Sequence, residues 1–333
     1  MVKEALFYKT LKENKVQCEL CPHLCVIPIT ERGKCHIREN QEGKLYSLIY
    51  GKIIAAAVDP IEKKPLFNFM PGTSSYSIAT SGCNLRCQFC QNSDISQARD
   101  LIIGEEILPS EIVKNAITNN CKSISYTYTE PTIFYELVLD TAKIAKKQGI
   151  KNVLVTNGFI NPGPLRKIAK YIDAANIDLK SFNEKFYREK CGARLQPVLD
   201  SIHLYHALGI FIEITTLIIP NENDSTLELT KIAEFISGID KNIPWHVSQF
   251  HPDYKMRDHD FTPERTLLKA VEIGKKAGLN YIYTGNIPGN DFESTYCPNC
   301  KKQLIQRIGF KVVENKIKNK KCPFCNEKIG LVK

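Results

Sequence analysis

A chain of 333 residues is about twice the roughly 150 residues of a typical domain, so it holds one large domain with appendages or two domains. Hydrophobic residues make up 43% and charged residues 24%, which excludes wholesale disorder and fibrous structure. The net charge of +9 is concentrated in residues 297–333, where ten Lys or Arg face two Glu, and the rest is close to neutral.

The thirteen cysteines fall into tight local sets. Cys18, Cys21, Cys25 and Cys35 form one, Cys83, Cys87 and Cys90 a second, and Cys297, Cys300, Cys322 and Cys325 a third; Cys121 and Cys191 are left over. Cys-x-x-Cys pairs in a chain without a secretory signal read as metal ligands rather than disulfides. The opening residues, Met1-Val-Lys-Glu-Ala-Leu, lack an apolar h-region. No apolar run approaches the roughly 18 residues of a membrane span. The expectation is a soluble, cytoplasmic protein with no membrane partner.

Residues 1–70 read as a Cys-rich N-terminal module that also carries the β-formers of Leu45–Val58. Four thiolates at C-x2-C-x3-C-x9-C suit Zn2+ or an iron–sulfur cluster, and spacing does not decide between them. A structural zinc is the reading taken, with His23 and His36 as substitute ligands.

Residues 71–292 form the expected core. Strands are predicted at Ser75–Thr80, Ser123–Tyr128, Asn152–Thr156, Ala174–Leu179, Phe211–Ile219, Trp245–Phe250 and Asn280–Thr284. Helical patterns at Ser110–Asn119, Ile133–Gln148, Pro197–Leu208, Thr226–Ser237 and Pro263–Ala277 alternate with them, four ending at a Gly. Alternation of this kind predicts a parallel sheet with right-handed crossovers, hence an α/β barrel or part of one. Period 2 puts Asn176, Asp178 and Lys180 on one strand face, and Glu213 and Thr215 on another. Polar faces turned inward predict a wide, wet cavity.

Cys83, Cys87 and Cys90 (C-x3-C-x2-C) follow the first strand. Three thiolates cannot complete a zinc tetrahedron without a further ligand, but they can hold three irons of a [4Fe–4S] cube and leave the fourth open. Phe89 is open to three roles: shielding such a cluster, packing against a bound base, or plain interior packing. The set resembles the C-x3-C-x-aromatic-C hallmark of the radical S-adenosylmethionine (SAM) enzymes. That resemblance implies a partial (β/α)6-type open barrel, SAM on the open iron, and reductive cleavage of SAM to methionine and a 5′-deoxyadenosyl radical.

Further segments fit the resemblance. Tyr126-Thr-Tyr-Thr-Glu-Pro-Thr132 stands where the family has Gly-Gly-Glu-Pro, keeping Glu130 for the SAM amino group but replacing both glycines with Tyr128 and Thr129. Asn157 ends the third strand. Asp178-Leu-Lys180 resembles the D-x-K motif of glycyl-radical-enzyme activases, and Phe250-His-Pro252 their histidine step, which implies a SAM ribose contact for His251. Cys18–Cys25, Asp59–Leu66, Gly82–Gln97, Trp245–Tyr254 and Tyr283–Gly289 together are similar to the AmmeMemoRadiSam-system radical SAM proteins, relatives of pyruvate formate-lyase activases. The activase likeness implies a protein substrate and an electron donor such as flavodoxin or ferredoxin.

Residues 293–333 read as a basic C-terminal zinc ribbon. Cys297-Pro-Asn-Cys300 and Cys322-Pro-Phe-Cys325 are paired knuckles around a hairpin-forming segment, Leu304–Val313. So short a segment needs a metal staple, with a rubredoxin-type iron or an auxiliary cluster as the lesser alternatives. Its charge suits an acidic surface or nucleic acid, RNA being the second substrate class, or else a solvated knob. Because the SAM motifs lie before residue 291, the ribbon is expected to be dispensable for SAM cleavage. Cys121 reads as a buried small hydrophobe, and Cys191 as a residue of the catalytic face with an open role. The rival reading is a non-catalytic binding module stapled by zinc at all three sets.

Overall fold

A computed structural model describes residues 1–97, 102–287, 289 and 291–330. Its centre is an open eight-stranded sheet whose strands lie in chain order. Ala55–Pro60 forms one edge, antiparallel to Ser74–Ala79. Then follow Ser123–Tyr126, Lys151–Thr156, Ala174–Asp178, Phe211–Ile218, Trp245–Gln249 and Ile282–Gly285, each parallel to its neighbours. All seven predicted strands are present; Pro288 of the Tyr283–Gly289 motif lies outside the described residues.

The predicted helices are also found, at Pro109–Thr118, Tyr135–Lys147, Gln196–Ala207, Thr226–Ile239 and Glu264–Lys276. Gly149, Gly209 and Gly278 stop their helices at φ of 73°, 75° and 90°, the left-handed conformation that costs glycine little. Gly238 was expected to do the same, but the helix runs through it to Ile239. A helix at Pro162–Ala169 was not foreseen; its Pro-Gly-Pro start reads as a turn, although proline also suits a first helical turn.

The inward polar faces have a more specific use than a wet cavity. Residues 65–69 pass beneath the N-terminal half of the sheet, and Glu213, fully buried, holds them. Its carboxylate accepts the backbone N–H groups of Phe67 (3.0 Å), Asn68 (2.7 Å) and Phe69 (3.2 Å), and pairs with His246 Nε2 at 2.7 Å. Asn176 donates to the Pro65 carbonyl at 2.8 Å and accepts the Thr215 hydroxyl at 3.0 Å. Asn176 and Glu213 therefore close the floor, while Asp178, Lys180 and Thr215, one step further along, face the open end.

Both flanking modules are bonded into this core. The N-terminal one contains two small antiparallel sheets. Arg38 in it meets Glu136 of helix Tyr135–Lys147 at 2.6 Å, both almost fully buried. The C-terminal one is a sheet of Thr295–Tyr296, Gln303–Ile308 and Lys311–Asn315. Its Arg307, 3% exposed, donates to the Phe67 carbonyl (2.7 Å) and Thr295 Oγ1 (2.8 Å) and lies 3.4 Å from Glu62. Leu304, Ile305, Ile317 and Ile329 pack with Phe67, Tyr281 and Tyr283 in one cluster.

Candidate active site

The chain leaves strand Ser74–Ala79 through Gly82, at φ 92°. A Cβ there would stand 3.1 Å from the Cys35 carbonyl and 3.2 Å from Ile133 Cδ1, so both conformation and space select glycine. The loop that follows carries Cys83, Cys87 and Cys90. It is clamped by the segment after the fourth parallel strand, since Arg86 N–H donates to the Cys191 carbonyl (2.8 Å) and Gln88 N–H to Lys190 (2.9 Å).

All three cysteines line a cavity of ≈ 560 Å³ at the C-terminal ends of the strands. Phe89, Glu130, Asn157, Asp178 and Lys180 line it too, so five of the six predicted cofactor-binding residues converge there. His251 does not; it lies beyond the end of Trp245–Gln249, and the histidine on the cavity wall is His246.

Each wall residue is fixed by its neighbours. Glu130, 2% exposed, accepts Thr132 N–H (2.9 Å), Thr132 Oγ1 (2.6 Å) and Thr156 Oγ1 (2.7 Å) on Oε1, and Asn157 N–H (2.8 Å) on Oε2. Burial pushes its carboxyl above the usual range against these bonds, and it ties two strand ends together. Asn157 donates to Asn84 Oδ1 at 2.9 Å and to Cys83 Sγ at 3.7 Å. Asp178 and Lys180 form a 2.8 Å ion pair. Burial opposes the Lys180 charge, but Asp178 and the nearby thiols hold its pKa well above the usual value.

The thiols differ among themselves. Burial raises Cys83 and Cys90. Cys87 is lowered, chiefly by a hydrogen bond from Cys191 and then, against burial, by Lys180. Cys191 is fully buried beside the loop rather than on the cavity wall. Cys121 is buried, as expected.

One part of the wall was not foreseen. Tyr128, at the first of the two glycine positions, has φ 62°, a conformation that costs a bulky residue strain. Its hydroxyl donates to Asp59, and Lys64 Nζ sits 4.3 Å from its ring centroid and 2.6 Å from Asp59. Burial draws Lys64 down to about 8, although Asp59 works the other way. Asp59 and Lys64 stand in the Asp59–Leu66 motif, so the residues were visible but their partner was not. Phe310, from the turn of the C-terminal hairpin, also reaches the cavity.

Sulfur spacing separates the cysteine sets. Zn–S bonds of about 2.3 Å give a tetrahedral edge of about 3.8 Å. Cys297 and Cys325 stand 3.6 Å apart, Cys300 and Cys322 3.7 Å. Among the described residues, this is the group of three or more Cys, His, Asp or Glu that brings its ligand atoms within 4.8 Å of one another. The central three are spread too widely for one shared ion, which fits a multi-iron cluster.

The family model described as "Radical SAM superfamily" matches residues 77–232. The uncharacterized protein MJ0808 of Methanocaldococcus jannaschii is 48% identical over 335 residues, covering 99% of this chain and all of the relative. The pyruvate formate-lyase-activating enzyme of Clostridium pasteurianum is 25% identical over 53% of this chain and 80% of its own length. Among solved structures, Streptococcus suis SuiB bound to precursor peptide SuiA superposes with a TM-score of 0.52 and 16% identity, over 68% of this chain and about half (51%) of SuiB. The matched stretch begins within the first parallel strand and takes in the cysteine loop, Glu130, Asn157, Asp178 and Lys180; residues 77–232 are a domain of the radical SAM superfamily.

Proposed function

We propose that this protein is a radical SAM enzyme that holds a site-differentiated [4Fe–4S] cluster on Cys83, Cys87 and Cys90 and abstracts hydrogen from a protein substrate. The observation that carries the reading is the convergence of those thiols with Glu130, Asp178 and Lys180 on one cavity. The cluster, when bound, supplies the electron that cleaves SAM to methionine and a 5′-deoxyadenosyl radical. The chain's own groups recognise and confine the ligand. Lys180 offers a cation to the SAM carboxylate and Asp178 an anion to its ammonium group. Glu130 orients the strand end between them. Phe89, Leu217 and Phe310 give the cavity apolar walls that keep water from a reactive radical. His246, rather than His251, is assigned to the ribose side.

A protein substrate is supported by the activase relative and by the peptide bound to SuiB. The electron comes from a one-electron donor of the flavodoxin or ferredoxin class. Zinc is assigned to Cys297, Cys300, Cys322 and Cys325, whose spacing matches one tetrahedral ion. No helix among the described residues is long and apolar enough to cross a membrane, and we assign the protein to the cytoplasm.

Anaerobic reconstitution with iron and sulfide, followed by dithionite and SAM, is expected to yield 5′-deoxyadenosine and methionine. Cys87→Ala should abolish both products. Wild-type rates from that variant would overturn the reading.

A further inference from the structure

Cys18, Cys21, Cys25 and Cys35 all line one small cavity of ≈ 20 Å³ between the N-terminal module and the central loop. Cys18 ends a short strand, and its N–H donates to the Cys25 carbonyl at 2.9 Å, which folds the knuckle back on itself. The four sulfurs share an enclosure, yet they do not close to the span of the C-terminal set, where all ligand atoms lie within 4.8 Å. One zinc ion demands an edge of about 3.8 Å. A four-iron cube carries its cysteine sulfurs outside a core of four metals and four sulfides, and so spaces them more widely.

Arg38 is an independent sign of what the cavity takes. It lines the same cavity and is 1% exposed. Its Nη2 donates to Glu136 and to the Ile133 carbonyl, but Nε and Nη1 are buried without a hydrogen-bond partner. A guanidinium is always charged and offers five donors, and leaving two of them unmet inside a protein is unfavourable. Glu136 already balances one positive charge, so the remaining N–H groups call for an anionic occupant with several acceptor atoms. A thiolate-ligated cube, with its sulfides, is such an occupant.

The histidines that might have served as ligands are engaged elsewhere. His23 Nε2 bonds to the Asn84 carbonyl and His36 Nε2 to Arg86, both at 2.7 Å. These contacts fasten the N-terminal knuckle to the central loop. Cys35 and Cys83 line one cleft of ≈ 10 Å³, so the two cysteine sets are neighbours.

We propose that Cys18, Cys21, Cys25 and Cys35 hold a second [4Fe–4S] cluster beside the first, fully ligated by cysteine and hydrogen-bonded by Arg38. This takes the cluster rather than the structural zinc, the two alternatives that spacing leaves open. With no open iron, the second cluster is indifferent to SAM.

The test uses the full-length chain carrying Cys83→Ala, Cys87→Ala and Cys90→Ala together, purified and reconstituted anaerobically. It should retain about four irons, about four sulfides and about one zinc per chain. After dithionite it should show a paramagnetic resonance signal that SAM does not alter. About two zincs with no iron, or iron lost altogether, would overturn the proposal. In the otherwise native chain, the half-buried Cys25→Ala should lose about half of the eight irons and keep the SAM-responsive signal. Arg38→Lys should lower the reduction potential of the SAM-indifferent signal, and an unchanged potential would remove Arg38 from the site. Failure of the wild type to cleave SAM would sink the functional reading and leave the metal count standing.

Discussion

The N-terminal and C-terminal modules look alike in sequence, each with four clustered cysteines, and they differ in what surrounds the sulfur. The C-terminal four close around a one-ion space in a segment rich in lysine. The N-terminal four stand wider, in an apolar enclosure with one buried arginine, against the central cysteine loop. The count of four cysteines and one Cys-x2-Cys pair at the start are common to both arrangements. Sulfur separation and the local charge distinguish them, and these are set by residues such as Arg38 that lie outside any Cys-x-x-Cys pattern.

Both modules nonetheless attach to the core in the same way, through a buried arginine facing a buried glutamate: Arg38 with Glu136, and Arg307 with Glu62. The comparison breaks most visibly if the C-terminal module is removed. A cut after Asn290, which lies outside the described residues, strips the cover from Phe67, Tyr281 and Tyr283 and leaves Glu62 facing no cation. Reading the motifs alone, that cut spares SAM cleavage. The packing predicts that it costs the fold instead, seen as loss of soluble protein or a large drop in melting temperature. A cut chain that melts like the full-length protein would make the ribbon a loosely tethered knob.

That reversal shows what the sequence carries and what it does not. The seven parallel strands are legible because β-branched runs and helix stops are local signals. The cysteine loop is legible because its chemistry needs three thiols on a short arc. Glu213 and Asn176 were legible only as inward polar residues; that they grip residues 65–69 depends on partners well over a hundred positions away. Tyr128 reads as a departure from a glycine pair, and only the structure shows Asp59 and Lys64 holding it in the left-handed conformation. Phe310 on the cavity wall is likewise a long-range contact with no local signature.

A smaller perturbation sharpens the same comparison. Arg307→Ala leaves Glu62 buried and unpaired, and losing one partner of a buried ion pair costs about 3–5 kcal/mol. Urea denaturation should show this as a lower midpoint at unchanged slope. The four C-terminal cysteines stay intact, so the folded variant should retain the metal-binding stoichiometry of the wild type at that set. A loss of stability well under 1 kcal/mol, taken from midpoint and slope, would mean that the apolar cluster alone carries the attachment.

The smallest effect distinguishes two carboxylates three positions apart. Asp59 gains hydrogen bonds from Lys64, Tyr128 and Lys63 that outweigh its burial, and its pKa falls far below the ordinary 3.8. Glu62 is raised above 4.5 by burial, only partly opposed by Arg307, and its Oε2 has no hydrogen-bond partner. The linkage signs are therefore opposite. Below about pH 3.8 the unfolded chain binds a proton that folded Asp59 refuses, so its contribution to stability is lost as pH falls. For Glu62 the folded chain binds the proton more readily, so its contribution is present below about pH 4.5 and declines as pH rises toward its raised value. Stability measured against pH should then lose part of its acid-side slope in Asp59→Asn, while Glu62→Gln should flatten the decline just above pH 4.5. Equal changes of slope in both variants would show that the two carboxylates respond to one shared field, and that the contact toward the cavity and the contact toward the ribbon are not electrostatically distinct.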